Sequence, residues 1–305
     1  MNTYLRGRLF AVAYHFTMVD GIAERSYGKV FNQVAAEYDR HRPAYPDELI
    51  ERACELARIG PGDRVLEIGC GTGQLTRSLL ARGLRVTAVE PGERLAALAR
   101  SNLDGVGEVE LLRARFEDAP LPHAHFAAAF SAAAIHWIDP DVGWQRAADA
   151  LVPGGTLALI QHLALREEHS ADDQQELMRV MAGIAPEVAS DWPAARELET
   201  ILSGVRERRA NVSEVWAWLG SHGVARECPA RLFEAAEIAA VPIVLEHTAD
   251  EINGLLGTMS FWARLSPAQR EALTAENRAF HGRLGRPIRS SVLACLITAR
   301  RRACA

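Results

Sequence analysis

Residues 64–74 read Arg-Val-Leu-Glu-Ile-Gly-Cys-Gly-Thr-Gly-Gln, and they constrain this chain more than any other stretch. The first half has the residues of a buried strand, because Val65, Leu66 and Ile68 are apolar and β-compatible. The second half is a turn with glycines at 69, 71 and 73, and residues 75–84 then pattern as a helix. Three glycines at spacing two leave backbone N–H groups uncovered at the mouth of that helix. No Cβ holds a ligand away from the main chain there.

From this unit the pattern alternates. Strands are predicted at 64–68, 85–89, 108–113, 125–131 and 155–161, with helices at 74–82, 93–101 and 141–151. Upstream, Phe31, Val34, Ala35 and Tyr38 fall at helical spacing over 28–40. Arg42-Pro-Ala-Tyr-Pro46 then breaks the helix, and Asp47 caps another over 48–59. The alternation stops after 163. Residues 170–222 carry helical patterning only, sheet character returns at 239–247, a helical stretch over 250–282 breaks at Pro267, and a last strand spans 290–300. The expected fold class is α/β and Rossmann-like. Its seven-stranded, mainly parallel sheet has an antiparallel last strand. An extension covers 1–27, the core covers 28–163 and 223–305, and a helical cap covers 164–222.

The totals exclude several classes. The chain has 305 residues, 49% apolar and 24% charged, enough for one large α/β domain with an insertion or for two modest domains. A net charge of -5 and a pI of about 6.1 argue against a nucleic-acid partner. No run of 18 or more apolar residues exists, which argues against a membrane span. Arg6 and Arg8 ahead of an apolar run imitate a leader, but His15 interrupts it, so a short amphipathic helix is expected there. Five cysteines without a CxxC pair read as reduced thiols of a cytoplasmic protein with no metal site.

The ligand follows from the acids that flank the turn. A dinucleotide fingerprint needs its third glycine three positions after the second, and here the spacing is two. Glu67 stands two residues before the first glycine, where a carboxylate can accept from an ammonium group. Glu90 ends the strand over 85–89. Ligands of open α/β sheets lie outside the carboxyl ends of the strands, and a carboxylate there can take both hydroxyls of a ribose. A ribose joined to a cationic amino-acid part describes S-adenosylmethionine better than NAD.

With Val89-Glu-Pro91, Phe116-Glu-Asp-Ala-Pro-Leu121, Ser131-Ala-Ala-Ala-Ile-His-Trp137, Leu151-Val-Pro-Gly-Gly-Thr156, Tyr38-x-x-x-Arg42-Pro-x-Tyr-Pro46 and Thr258-Met-Ser260, the chain resembles the class I S-adenosylmethionine-dependent methyltransferases. Within them it resembles the small-molecule group that includes trans-aconitate methyltransferase-like enzymes. The likeness covers about residues 28–300. It implies the class I fold, with S-adenosylmethionine as donor and S-adenosylhomocysteine as product. It also implies that Glu67, Gly69 and Gly71 hold the methionine part, with Cys70 and Gly73 completing the turn. Glu90 and Pro91 meet the ribose, and Phe116 and Glu117 meet the adenine. Ser131 and Ala132 lie beneath the cofactor, and Tyr38, Arg42 and Tyr45 close over it. Relatives often carry Asp where Arg115 stands; Arg cannot accept a hydrogen bond from the adenine amino group.

The acceptor side offers several candidates. His136 and His162 are candidate bases at strand ends. Glu176 borders the helical stripe of Leu177, Val180, Met181, Ile184 and Val188, where an apolar setting would raise its pKa and suit it as a base. Tyr45, Trp137, Glu168, Trp216 and Trp218 are candidate acceptor-lining residues. Each also has a purely structural reading. The expected function is a small-molecule methyltransferase of specialised metabolism, acting on an apolar, isoprenoid or aromatic acceptor under the cap. The alternatives are O- or N-methylation of a polar carboxylate metabolite, and a non-catalytic binding scaffold. Mg2+ enters only if the acceptor is a diphosphate. The protein is expected to be a cytoplasmic monomer or homodimer, with no nucleic-acid or membrane partner.

Overall fold

A computed structural model describes residues 30–189, 194–220 and 223–303. The expected extension and its short helix at 1–27 lie outside these residues.

Seven strands form one sheet: β1 (Arg64–Ile68), β2 (Arg85–Val89), β3 (Val109–Leu112), β4 (Phe126–Ala132), β5 (Leu151–Ala164), β6 (Glu237–His247) and β7 (Ile288–Arg300). Their order is β3-β2-β1-β4-β5-β7-β6. All pairs from β3 to β5 are parallel, and β7 runs antiparallel to both β5 and β6. The central strands are buried on both faces, so they carry continuous apolar runs. Leu157 and Leu159 of β5 face one core with Trp144, Trp216 and Phe233. Ala158 and Ile160 face the other with Leu49, Ile50 and Leu79.

Helices cover both faces. The first segment has α1 (Val30–Gln33), α2 (Ala35–His41) and α3 (Asp47–Ala57), with Pro46 and Asp47 at the α3 start. Then come α4 (Gln74–Leu80), α5 (Glu93–Asn102) and α6 (Pro140–Ala150), the last capped by Asp139, which accepts from the Asp141 N–H. Among the described residues, five helices separate β5 from β6: α7 (Glu168–Ile184), α8 (Pro186–Ala189), α9 (Leu198–Arg208), α10 (Val212–Leu219) and α11 (Cys228–Leu232). The last two are α12 (Ala249–Gly257) and α13 (Pro267–Leu284), each opened by a capping box, with Pro267 in the first turn of α13.

The cap has other boundaries than 164–222. α9 and α10 are sheet-covering helices, since Ile201, Val205, Val215, Trp216 and Leu219 bury into the core beneath β5 and β7. α7 and α8 instead pack Val180, Met181, Ala185 and Val188 against Leu256, Phe261, Leu265 and Leu273. The cap is therefore α7–α8 with α12–α13, drawn from both sides of β6. It is fixed to the sheet at Asp173, whose buried carboxylate accepts two hydrogen bonds from Arg286 (2.7 and 2.9 Å) and one from the Arg289 N–H (2.8 Å). Among the described residues, no helix is long and apolar enough to cross a membrane, and no group of three His, Cys, Asp or Glu side chains is placed to hold a metal.

Candidate active site

A cavity of about 1200 Å³ opens at the carboxyl ends of β1, β2, β4 and β5. Single-ligand pockets usually span roughly 300–1,000 Å³, so this one has room for two molecules. Its wall falls into two groups. One contains Gly69, Gly71, Glu90, Phe116, Glu117 and Ala132. The other contains Tyr45, His162, Leu177, Met178, Ile252 and Phe261.

The glycine turn explains the first group. Gly69, Gly71 and Gly73 have φ of +74°, +58° and +88°, the left-handed region that glycine enters without a Cβ penalty. The N–H groups of Gly69 and Cys70 donate to the Val89 carbonyl (2.9 and 3.2 Å), which ties the turn to β2. Glu90 receives the Gly71 N–H at 3.0 Å and the Gly92 N–H at 2.8 Å, one on each carboxylate oxygen. Burial raises its pKa, and the two N–H groups oppose the rise.

Glu67 is 1% exposed and lies behind the turn, off the cavity wall. Its carboxylate accepts the Thr76 hydroxyl at 2.6 Å. Burial pushes its pKa up to about 7; the Thr76 hydrogen bond opposes the rise and the charge of Glu90 adds to it. Three other residues expected at the cofactor also stand off the wall. Cys70 is buried in the core beneath β1, Gly73 packs toward Leu103, and the Ser131 hydroxyl donates to the Ile68 carbonyl (3.1 Å). They shape the turn from behind.

Residues 30–45 form a strap across the cavity. The Asn32 side chain accepts from the Arg94 N–H (2.7 Å), Asp39 accepts from Asn102 (2.9 Å), and Arg42 donates to the Thr258 carbonyl (2.8 Å). Phe31 meets Tyr38 and Trp137 edge-on at centroid distances of 5.7 and 5.6 Å. The Arg42 guanidinium lies 5.0 Å from the Tyr38 ring, and its Nε is buried without a hydrogen-bond partner. Tyr45 stacks flat on His162 at 5.1 Å. Burial, with the nearby Arg42 charge, pushes the His162 pKa down to about 4, so the imidazole is neutral at pH 7. On the other side, Arg146 donates to the Phe116 and Ala119 carbonyls and holds the Phe116 ring. Arg115 stands exposed and bonds Glu117 at 3.0 Å.

Tyr38, Arg42, Tyr45, Gly69, Gly71, Glu90, Pro91, Phe116, Glu117, Ala132, His136, Trp137 and His162 all line the cavity. Four acceptor-side expectations do not hold. Glu176 turns to the surface, where Arg179 grips it twice at 2.7 Å and Arg283 once at 3.2 Å; these cations hold its carboxyl below the usual range. Glu168, the first residue of α7, is exposed and off the wall. Trp216 is 2% exposed in the core beneath the sheet. Trp218 fills the space over Gly204 between the guanidinium groups of Arg196 and Arg208. Glu176→Gln should therefore leave the affinity for S-adenosylhomocysteine unchanged and cost at most about 1 kcal/mol of stability, the scale of surface ion pairs. A loss of affinity would contradict this placement.

Other wall residues escaped sequence reading. Ala133 takes φ +50° although it is not glycine, and it carries the chain from β4 to the 3-10 turn at Ile135–Trp137. Ile252, Leu255 and Phe261 line the wall from far along the chain, and their apolar spacing alone named no partner.

Comparisons with known proteins agree with this geometry. Residues 66–159 match the family model of a methyltransferase domain. The chain is 35% identical over 138 residues to an uncharacterised methyltransferase of Mycobacterium bovis, covering 45% of this chain and 54% of that protein, so it spans about half the length of that relative. It is 29% identical over 177 residues to a demethylmenaquinone methyltransferase of Tropheryma whipplei, covering 56% of this chain and 73% of that one. Its fold matches that of a candidate type II methyltransferase from Anaeromyxobacter dehalogenans with a TM-score of 0.55 at 25% identity, over 85% of this chain and 97% of that one. The sheet order and the glycine turn fit the Rossmann-like class I fold of S-adenosylmethionine-dependent methyltransferases, and residues 66–159 match a methyltransferase-domain model.

Proposed function

We propose that the protein transfers a methyl group from S-adenosylmethionine to a small, largely apolar acceptor enclosed by α7 and α12–α13. The observation that carries this reading is the two-part cavity. The glycine turn and Glu90 form one wall, while Leu163, Leu177, Met178, Ile252, Met259 and Phe261 stand on the other. In this reading Glu90 takes the ribose hydroxyls, the main chain of Gly69–Gly71 meets the methionine part, and Phe116 stacks on the adenine. Tyr38 and Arg42 close the strap over them. Bound S-adenosylmethionine supplies a methyl group on a sulfonium whose sulfur leaves as a neutral thioether. The protein's part is alignment and exclusion of water, and alignment alone supplies roughly 7–11 kcal/mol of such barriers. The Tropheryma relative is named for demethylmenaquinone, itself a largely apolar molecule, which favours an apolar acceptor over a polar carboxylate metabolite.

Titration calorimetry with S-adenosylhomocysteine tests the donor site. The wild type should bind one molecule per chain. Glu90→Ala should weaken binding roughly a hundredfold, since two hydrogen bonds to a charged group are lost. Absence of binding to the wild type would leave a scaffold in place of an enzyme.

A further inference from the structure

Among the described residues, the acceptor part of the wall contains no carboxylate. Glu176 is held at the surface by Arg179 and Arg283, Glu168 is exposed, and Glu167 faces Ser291 and His169. Among the described residues, the titratable groups facing the apolar residues are Tyr45 and His162, stacked on each other. Burial keeps the Tyr45 hydroxyl protonated. An imidazolium as acidic as that of His162 does not retain a proton taken from an alcohol. His136, beyond the end of β4, packs against the indoles of Trp137 and Trp216 at 4.8 and 6.0 Å.

One permanent charge stands where the two groups of wall residues meet. Arg42 lines the cavity near Tyr38, Tyr45 and His162, and its charge is felt at the last two. Among the described residues its side chain donates to the Thr258 carbonyl, its Nε is buried and unpartnered, and it makes no ion pair with a carboxylate. Arg42 is half-buried with its Nε fully covered; a partly desolvated cation without a counter-charge is costly, and it favours a ligand that brings one.

Resting on the methyl-transfer reading above, we infer that the acceptor is an apolar molecule whose nucleophile is already an anion at neutral pH, held against the Arg42 guanidinium. A carboxylate, an acidic phenolate or a stabilised enolate has this chemistry. The anion's lone pair forms the bond to the methyl carbon, the carbon–sulfur bond breaks, and its electron pair stays on sulfur. No proton is released, so the chamber needs no base. A neutral alcohol would leave Arg42 uncompensated and its own proton without a taker.

The test uses the whole chain saturated with S-adenosylhomocysteine, titrated in a calorimeter with decanoate and with decan-1-ol. Decanoate should bind one per chain and at least about tenfold more tightly than the alcohol, the scale of one charge-assisted hydrogen bond. Arg42→Met should erase that preference, while Arg42→Lys retains part of it. Equal binding of the two probes, binding of neither, or a preference that survives Arg42→Met would overturn the inference. If Arg42→Met does not fold, the wild-type ratio still decides. Equal binding of the probes with the product in place, and a preference for decanoate without it, would mean that the cofactor's own carboxylate takes Arg42. That result also overturns the inference. Failure of S-adenosylhomocysteine to bind would instead refute the methyl-transfer reading, and repeating the titration without it separates the two failures.

Discussion

Gly69→Ala is expected to cost roughly 2–5 kcal/mol of stability and to abolish S-adenosylhomocysteine binding, whereas Gly154→Ala costs only about 1–2 kcal/mol. Both glycines have positive φ, +74° and +77°, so both substitutions incur the same left-handed penalty. They differ in surroundings. A Cβ at Gly154 meets nothing within 4 Å, whereas one at Gly69 falls less than 3.0 Å from the Ala134 Cβ. That methyl group is fixed to the backbone and cannot rotate away. Relief requires the segment 132–134 to move, and Ala133 there already has φ +50°. Gly69 and Ala132 through Ala134 all line the cavity, so the same displacement deforms the donor site. Urea unfolding of both variants, with and without S-adenosylhomocysteine, checks the result. Equal costs for the two substitutions would show that the close approach of the two loops is not what demands glycine at 69.

The wall proposed for the donor was legible because its parts are local in sequence. β1 and β2 occupy 64–68 and 85–89, as their apolar runs predict, and Glu90 follows directly. The wall proposed for the acceptor was not legible, because it is assembled from distant segments. The stripe of Leu177, Val180 and Met181 announces a buried face on α7. Its partners lie some 80 residues further on, in α12 and α13, and nothing in the stripe names them. Trp216 and Trp218 belong to an apolar helix, a pattern that suits a cap and a sheet-covering helix equally; only packing beneath β5 and β7 decides. Glu176 misled for a related reason. Helical spacing placed it at the edge of the stripe, and part of its neutralisation comes from Arg283, 107 residues away. β5 begins at Leu151, earlier than its Pro-Gly-Gly stretch suggests, and its ladder with β7 from Thr156 to Ala164 is a long-range pairing.

Glu67→Gln is expected to move stability and cofactor affinity in opposite directions. Burial lifts the native carboxyl to about 7 from an ordinary 4.5. A raised acid pKa means that the folded state holds the proton more tightly than the unfolded state. Below 4.5 both states are protonated and the group has no effect. Between 4.5 and 7 the unfolded chain ionises first, so stability falls as pH rises. Above 7 the loss levels off at about 3 kcal/mol. Glutamine removes this loss and can still accept the Thr76 hydroxyl, so the unliganded variant should be more stable than the wild type at pH 8 and indistinguishable from it near pH 4. Affinity behaves otherwise. The ionised carboxylate behind the glycine turn favours a cationic amino-acid group on the other side. Binding such a ligand below pH 7 must expel the proton, so wild-type affinity for S-adenosylhomocysteine should fall by up to about tenfold per pH unit. The glutamine variant should bind more weakly at pH 8 and show no such slope. Urea unfolding and calorimetry across this pH range read both effects. A wild-type affinity that is flat through pH 7, or a variant no more stable at pH 8, would show that Glu67 is charged and solvated in the free protein and does not wait for a cation to ionise it.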